Sequence, residues 1–132
     1  MFSLTVVDHI MIAHSFRGAE FGPAQRLHGA TFVVEAEFRA AQLDHLNLLV
    51  DIGLAKDELR RTLAPLDYRN LDEEAGFAGR NTTTEFLCAH IQGALAAACR
   101  EGRLGPHGTK VTAIKVLLRE SHIAWAAYEA PL

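Results

Sequence analysis

From His28 to Ala40 the chain alternates. Ala30, Phe32, Val34, Ala36 and Phe38 are apolar, and Thr31, Glu35, Glu37 and Arg39 stand between them. A period of two predicts a strand with one dry face and one wet face. His28 has the parity of the dry face and stands at its mouth. A histidine there is either tied to a backbone carbonyl or used as a ligand or base. Residues 2–14 alternate more weakly, with Leu4, Val6, Ile10 and Ile12 sharing a parity with Asp8 and His14. They predict a long strand ending at His14. Gly18, Gly22 and Pro23 make 15–27 a loop. The two strands then form a wide hairpin. His14 and His28 lie together at its loop end, the right arrangement for two ligands of one metal.

Past the hairpin the period changes. Ile52, Ala55, Leu59 and Leu63 recur every three or four residues, behind Asp51 as an N-cap and before Pro65. The stretch from Leu66 to Leu71 reads as an ordered loop, and 72–79 as an exposed acidic one. A second helix follows Thr82-Thr83-Thr84-Glu85, which matches a capping box, with a hydroxyl at the cap and a carboxylate three residues on. Its buried stripe is Leu87, Ile91, Ala94, Leu95 and Ala98, and Gly102 ends it. Gly105-Pro106-His107-Gly108 is a turn. Residues 109–120 predict a third strand, with Ile114, Val116, Leu118 and Glu120 on one face, and 123–128 a short fourth. The order β-β-α-α-β-β predicts one α+β domain over 1–132: an antiparallel four-stranded sheet with two helices on one face. Such a sheet leaves open edges, which association with further copies of the chain would cover.

Composition narrows the partners. The chain has 132 residues, 49% hydrophobic and 22% charged, which suits one soluble core. A net charge of −3 with no basic block gives no electrostatic basis for binding nucleic acid or an anionic membrane. No apolar run is long enough to span a bilayer. The stretch from Met1 to Asp8 lacks a basic leader and does not resemble a signal peptide. Cys88 and Cys99 stand about three helical turns apart, too far for a disulfide, and read as reduced core thiols of a cytoplasmic protein.

Six segments, in order, resemble one family. These are Ile12-Ala13-His14, then Arg26-Leu27-His28-Gly29-Ala30-Thr31-Phe32, then Leu49-Val50-Asp51-Ile52-Gly53. They continue with Pro65-Leu66-Asp67-Tyr68-Arg69-Asn70-Leu71, then Asn81-Thr82-Thr83-Thr84-Glu85-Phe86-Leu87, then Leu118-Arg119-Glu120 with Trp125 and Tyr128. The chain resembles the 6-pyruvoyltetrahydropterin synthase family, which includes the 6-carboxytetrahydropterin synthases of queuosine biosynthesis. That resemblance implies a tunnelling fold, in which several subunits, usually six, build a β-barrel with active sites between them. It implies a lyase of pterin metabolism, with zinc on three histidines, a glutamate holding the pterin ring and a Cys/Asp/His catalytic set.

Carried onto this chain, the resemblance places zinc on His14 and His28. It puts the ring on Glu120, with Glu85, Thr83 and Thr84 as further contacts, and catalysis on Asp67 and Tyr68. Three positions depart from the pattern. Ala30 stands where the third histidine would be, Ala24 where the cysteine would be, and Tyr68 where a histidine follows the loop aspartate. A third zinc ligand would have to come from His9, Glu20, Gln25, His45 or His122. Tyrosine is a poor base at neutral pH, its ordinary pKa being about 10. Glu120 suits the ring for a chemical reason. An aminopyrimidinone presents an N–H and an NH₂ side by side, a planar edge that one carboxylate matches. Two readings follow: an enzyme acting on dihydroneopterin triphosphate or a related pterin with an altered catalytic set, or a pterin- or purine-binding protein without turnover. A structural oligomer with no ligand is the third.

Overall fold

The computed structural model describes residues 1–132. The two alternating stretches form β1 (Phe2–His14) and β2 (His28–Ala40), paired antiparallel in full register from Phe2 opposite Ala40 to His14 opposite His28. The even positions are the dry ones. Val6, Ile10, Ile12, His14, Phe32, Val34, Ala36, Phe38 and Ala40 are buried, whereas Val7, Met11 and Val33 on the other face are exposed. The wet face carries the charge pairs Arg39–Glu37 and Arg119–Glu35.

Helix α1 (Ile52–Leu63) starts at Asp51, whose carboxylate accepts from the Leu54 N–H at 3.0 Å. Helix α2 is Thr84–Arg100. The last two strands, β4 (Ala113–Arg119) and β5 (Trp125–Pro131), form a second hairpin on the free side of β2. Both helices lie on the dry face, α2 against β4 and β5, and α1 against β1 and α2. One core of 25 buried residues joins sheet and helices, centred on Phe32, Phe38, Leu59, Leu87, Ile91 and Leu118. No helix is long and apolar enough to cross a membrane.

The structure corrects the expected sheet. It has five strands, not four, and is mixed rather than wholly antiparallel. Residues Arg69–Asn70, expected in a loop, form β3 and pair parallel with Ile12 and Ala13, giving the order β3-β1-β2-β4-β5. The Tyr68 N–H donates to the Met11 carbonyl at 2.7 Å and sets that pairing, with Tyr68 itself at φ 59. The 15–27 loop contains a 3-10 segment at Ala19–Gln25, and 71–77 holds two 3-10 turns that bury Leu71 and Phe77.

The capping box is not formed. The N-cap of α2 is Thr83, whose hydroxyl accepts from Phe86 N–H at 3.2 Å. Glu85 is therefore one position short of the reciprocal contact, and its exposed carboxylate has no capping task.

Candidate functional site

Four consecutive residues leading into α2, Asn81 to Thr84, do four different jobs. Asn81 clamps the loop after β1, accepting from the Arg17 N–H at 2.8 Å and donating to its carbonyl at 3.0 Å. Thr82, buried, meets His14 Nδ1 at 3.0 Å. Thr83 caps the helix. Thr84 donates to Glu120 Oε2 at 3.5 Å. This run ties the histidine end of the β1–β2 hairpin to the Glu120 end of β4.

At Glu120 the strand parity misled. β4 ends at Arg119, and Glu120 is exposed rather than buried in the core. Its N–H donates to the Ala124 carbonyl at 3.1 Å, so it begins a tight turn into β5. The side chain faces a cavity of ≈ 160 Å³ lined by Thr84, Glu85, Glu120, Ala124, Trp125 and Ala126. On its other side lies a wider cavity of ≈ 450 Å³ with Thr31, Arg119 and His122. Two carboxylates thus share the smaller cavity, and neither makes an ion pair. The one nearby cation, Arg119, is held by Glu35 at 2.8 Å and lies 4.6 Å over the Trp125 ring. An uncompensated pair of acceptors beside a helix N-terminus suits a ligand edge rich in N–H donors.

The histidine pair is formed. The rings of His14 and His28 are 4.6 Å apart, edge to face, and Phe16 packs on both, at 4.6 Å from His14 and 5.5 Å from His28. His28 Nδ1 lies 2.8 Å from the Arg26 carbonyl, a contact that orients the ring and leaves Nε2 uncommitted. Burial and the neighbouring His28 hold the His14 pKa below 6.5, against the Thr82 hydrogen bond and Asp72. Burial thus favours the neutral form of the His14 imidazole.

A catalytic zinc needs three protein ligands and an open position. This chain brings two donors together and no group of three His, Cys, Asp or Glu able to hold a metal. The methyl of Ala30 packs against the core where a third imidazole would stand. None of the five possible replacements joins the pair. His9 is exposed on the opposite face of β1, and His45 lies by His107. Gln25 turns back to the Gly22 carbonyl, and Glu20 folds against Gly18. His122 lies in the turn after Glu120. The residues present do not complete a zinc site within one chain.

Asp67 and Tyr68 lie elsewhere. Both Asp67 oxygens are engaged, one by the Met11 N–H at 2.9 Å and one by Arg60 at 3.2 Å. Arg60 also reaches Asp8 at 3.3 Å, so the three side chains lock α1, β1 and the loop together. Tyr68 projects outward, 81% exposed. With strands spaced 4.7–4.9 Å, the β3 edge is about 14 Å from β4, so one chain does not bring Tyr68 to its own Glu120.

The family model for 6-pyruvoyl tetrahydropterin synthase matches residues 3–131. The chain belongs to that family. Its fold is shared by the 6-pyruvoyl tetrahydropterin synthase of Caenorhabditis elegans, with a TM-score of 0.78 and 21% identity over 98% of this chain and 95% of that one. It is shared by the Plasmodium vivax enzyme, with a TM-score of 0.75 and 15% identity over 100% of both chains. The Plasmodium falciparum enzyme gives 0.72 and 14% over 98% and 99%. No curated protein sequence matches the chain. At these identities the likeness is one of fold, and the residues in this chain's own cavities carry the chemistry.

Site residues that the sequence reading overlooked or misplaced are Thr82, Asn81 and Trp125. Trp125 sits opposite Arg119 in the β4–β5 pairing. Cys88 and Cys99 stay outside the site. Cys88 is buried, its thiol pushed up to about 11 by burial, with Sγ 3.3 Å from the Ala126 carbonyl.

Proposed function

We propose that the chain is a pterin-metabolism protein that binds the aminopyrimidinone edge of a pterin at Glu120. Glu85 and Thr84 complete that contact, and Thr83 fixes the helix end that presents them. One observation carries this reading. Two unpaired carboxylates and a threonine from distant parts of the chain converge on one cavity. Glu120 accepts the ring's N–H and NH₂ together, and a neutral or cationic edge of that shape suits two carboxylates where an anion would not.

The activity we infer is that of a lyase of the 6-pyruvoyl or 6-carboxytetrahydropterin synthase type, acting on dihydroneopterin triphosphate or a related pterin. Arg119, the residue before Glu120, pairs with Val33, and Val33 lies five residues along β2 from His28, about 16 Å at strand spacing. A ring held at Glu120 therefore points its substituent toward His14 and His28. Zinc is the cofactor the family implies, and His14 and His28 are the donors this chain offers it. No step is assigned to the metal, because the third donor is absent. Asp67 and Tyr68 serve a site only across a subunit boundary, which favours a homo-oligomer, a hexamer on the family's pattern, working in the cytoplasm. In that arrangement Asp67 fixes the turn and Tyr68 offers a hydroxyl to the neighbouring copy's ligand.

A second reading rests on a specific observation. Ala24 and Ala30 carry no reactive group and Tyr68 is a weak base, so the pocket can bind a pterin or purine without turning it over. Incubation with dihydroneopterin triphosphate followed by product analysis separates the two. A new pterin product and released triphosphate support the enzyme. Unchanged substrate that remains bound supports the binder.

A further inference from the structure

The loop that follows β2 folds back on itself around one carboxylate. Asp44 Oδ1 accepts from the Leu46 N–H at 2.8 Å and from the Leu48 N–H at 3.0 Å. The backbone closes the same turn. The Asp44 N–H donates to the Leu48 carbonyl at 2.9 Å, and Asn47, at φ 62, donates to the Asp44 carbonyl at 3.0 Å. The second oxygen, Oδ2, lies 2.6 Å from Nδ1 of His107, which stands in the 3-10 turn Pro106–Gly108. These contacts, the Leu48 amide first and then His107, hold the Asp44 carboxyl down at about 2. An ionised carboxylate only accepts, so the proton between the two groups sits on His107 Nδ1 and the lone pair of the neutral ring sits on Nε2. His45, next in the chain and exposed, brings a second imidazole. Its ring centre is 6.2 Å from that of His107, with the planes inclined at 37°. Neither histidine lines the cavities at Glu120.

We propose that His45 and His107 form a surface site for a divalent late transition-metal ion, with Asp44 orienting His107 from behind. A metal–nitrogen bond of about 2.0–2.1 Å places an ion roughly 3.2 Å from an imidazole centre, so two rings that share one ion have centres about 4.5–6.4 Å apart. The observed 6.2 Å lies at the open end of that range, and a turn of the exposed His45 side chain closes it. A histidine that gives its other N–H to a carboxylate is the common arrangement at metal sites. The carboxylate fixes the tautomer and makes the donor nitrogen more basic. Asp44 is not itself a ligand, because both its oxygens are committed. Imidazole donors suit copper, nickel and zinc, and copper(II) binds such donors most tightly. No third protein donor joins the pair. Water takes the remaining positions, and the ion exchanges readily and leaves on dialysis. The two histidines come from segments distant in the chain, so the ion ties the loop after β2 to the 3-10 turn. That loop also supplies Leu43, Asn47 and Leu48 to an apolar cavity of ≈ 460 Å³, and the bound ion stiffens this wall of it.

The test uses copper(II) alone as the probe, with paramagnetic line broadening to locate the ion and calorimetry to measure its affinity. At substoichiometric copper, the amide signals of residues 44–48 and 106–109 of the wild-type chain should broaden together. His45→Gln removes one exposed donor, leaves the fold intact by thermal unfolding, and should weaken this binding about tenfold or more. His107→Gln should weaken it to the same degree. Asp44→Asn turns an NH₂ toward His107 Nδ1 and moves the ring proton to Nε2. It should cost about 10–100-fold in affinity although no ligand is removed. Broadening that spares residues 44–48, or that spreads evenly over His9, His45 and His122, overturns the proposal. So does an affinity at residues 44–48 that His45→Gln leaves unchanged.

Discussion

Glu120→Gln is the sharpest perturbation of the ring site. The side chain is exposed, and its one protein partner is the Thr84 hydroxyl at 3.5 Å, the outer limit of a hydrogen bond. Losing that contact leaves stability within about 0.5 kcal/mol of wild type, as for other surface changes. The ligand feels far more. A carboxylate accepts both donors of the aminopyrimidinone edge. A carboxamide offers one acceptor and turns its NH₂ toward the second donor. One charge-assisted hydrogen bond is lost, worth about 1.5–3 kcal/mol. That converts to a roughly 10–150-fold rise in Kd. The lower half of the range applies, because the free carboxylate is solvated before binding. The assay is calorimetric titration with neopterin, with thermal unfolding as a control. An unchanged Kd refutes the role of Glu120. A weakened Kd with an equally weakened fold refutes the claim that the effect is local.

Other parts of the structure make their own predictions. Thr83→Ala removes the α2 cap and should cost about 1 kcal/mol in denaturant unfolding, whereas Glu85→Gln should cost only the dipole attraction of about 0.5 kcal/mol. The reverse ranking would restore the capping box. His14 has a folded pKa below its unfolded value of 6.5, so the unfolded chain binds that proton more tightly. Its contribution to stability is complete well above 6.5 and is lost as pH falls through that value toward the lower folded one. Thermal scans from about pH 8 to about pH 5 should show this decline, and His14→Gln should flatten it. Ala30→His places a third imidazole two residues from His28 on the same face of β2. The variant should retain zinc through dialysis, by metal analysis, where the wild type does not.

The strands were legible because their pattern and their burial have the same cause. One face of β1 and β2 is covered by helices, so alternation in the sequence returns as alternation in exposure, with the strand limits at residues 2–14 and 28–40 recovered. Asp51 was legible for a local reason, since its cap bond spans three residues. What failed was non-local. The two residues of β3 have no strand pattern of their own, and the Tyr68 and Asp67 contacts with Met11 create their pairing. Three adjacent threonines leave the cap undecided until Thr82 is claimed by His14, 68 residues away. Glu120 followed the parity of β4, but the strand stops one residue earlier.

The central claim is that the Glu120 cavity reads the donor edge of an aminopyrimidinone. Lumazine is a pteridine with a carbonyl oxygen in place of the 2-amino group, and it lacks that donor. Parallel titrations of pterin and lumazine test the claim most directly. Pterin should bind the wild-type chain about tenfold or more tightly, and the preference should vanish in Glu120→Gln. Equal affinity for the two rings in the wild type would contradict it.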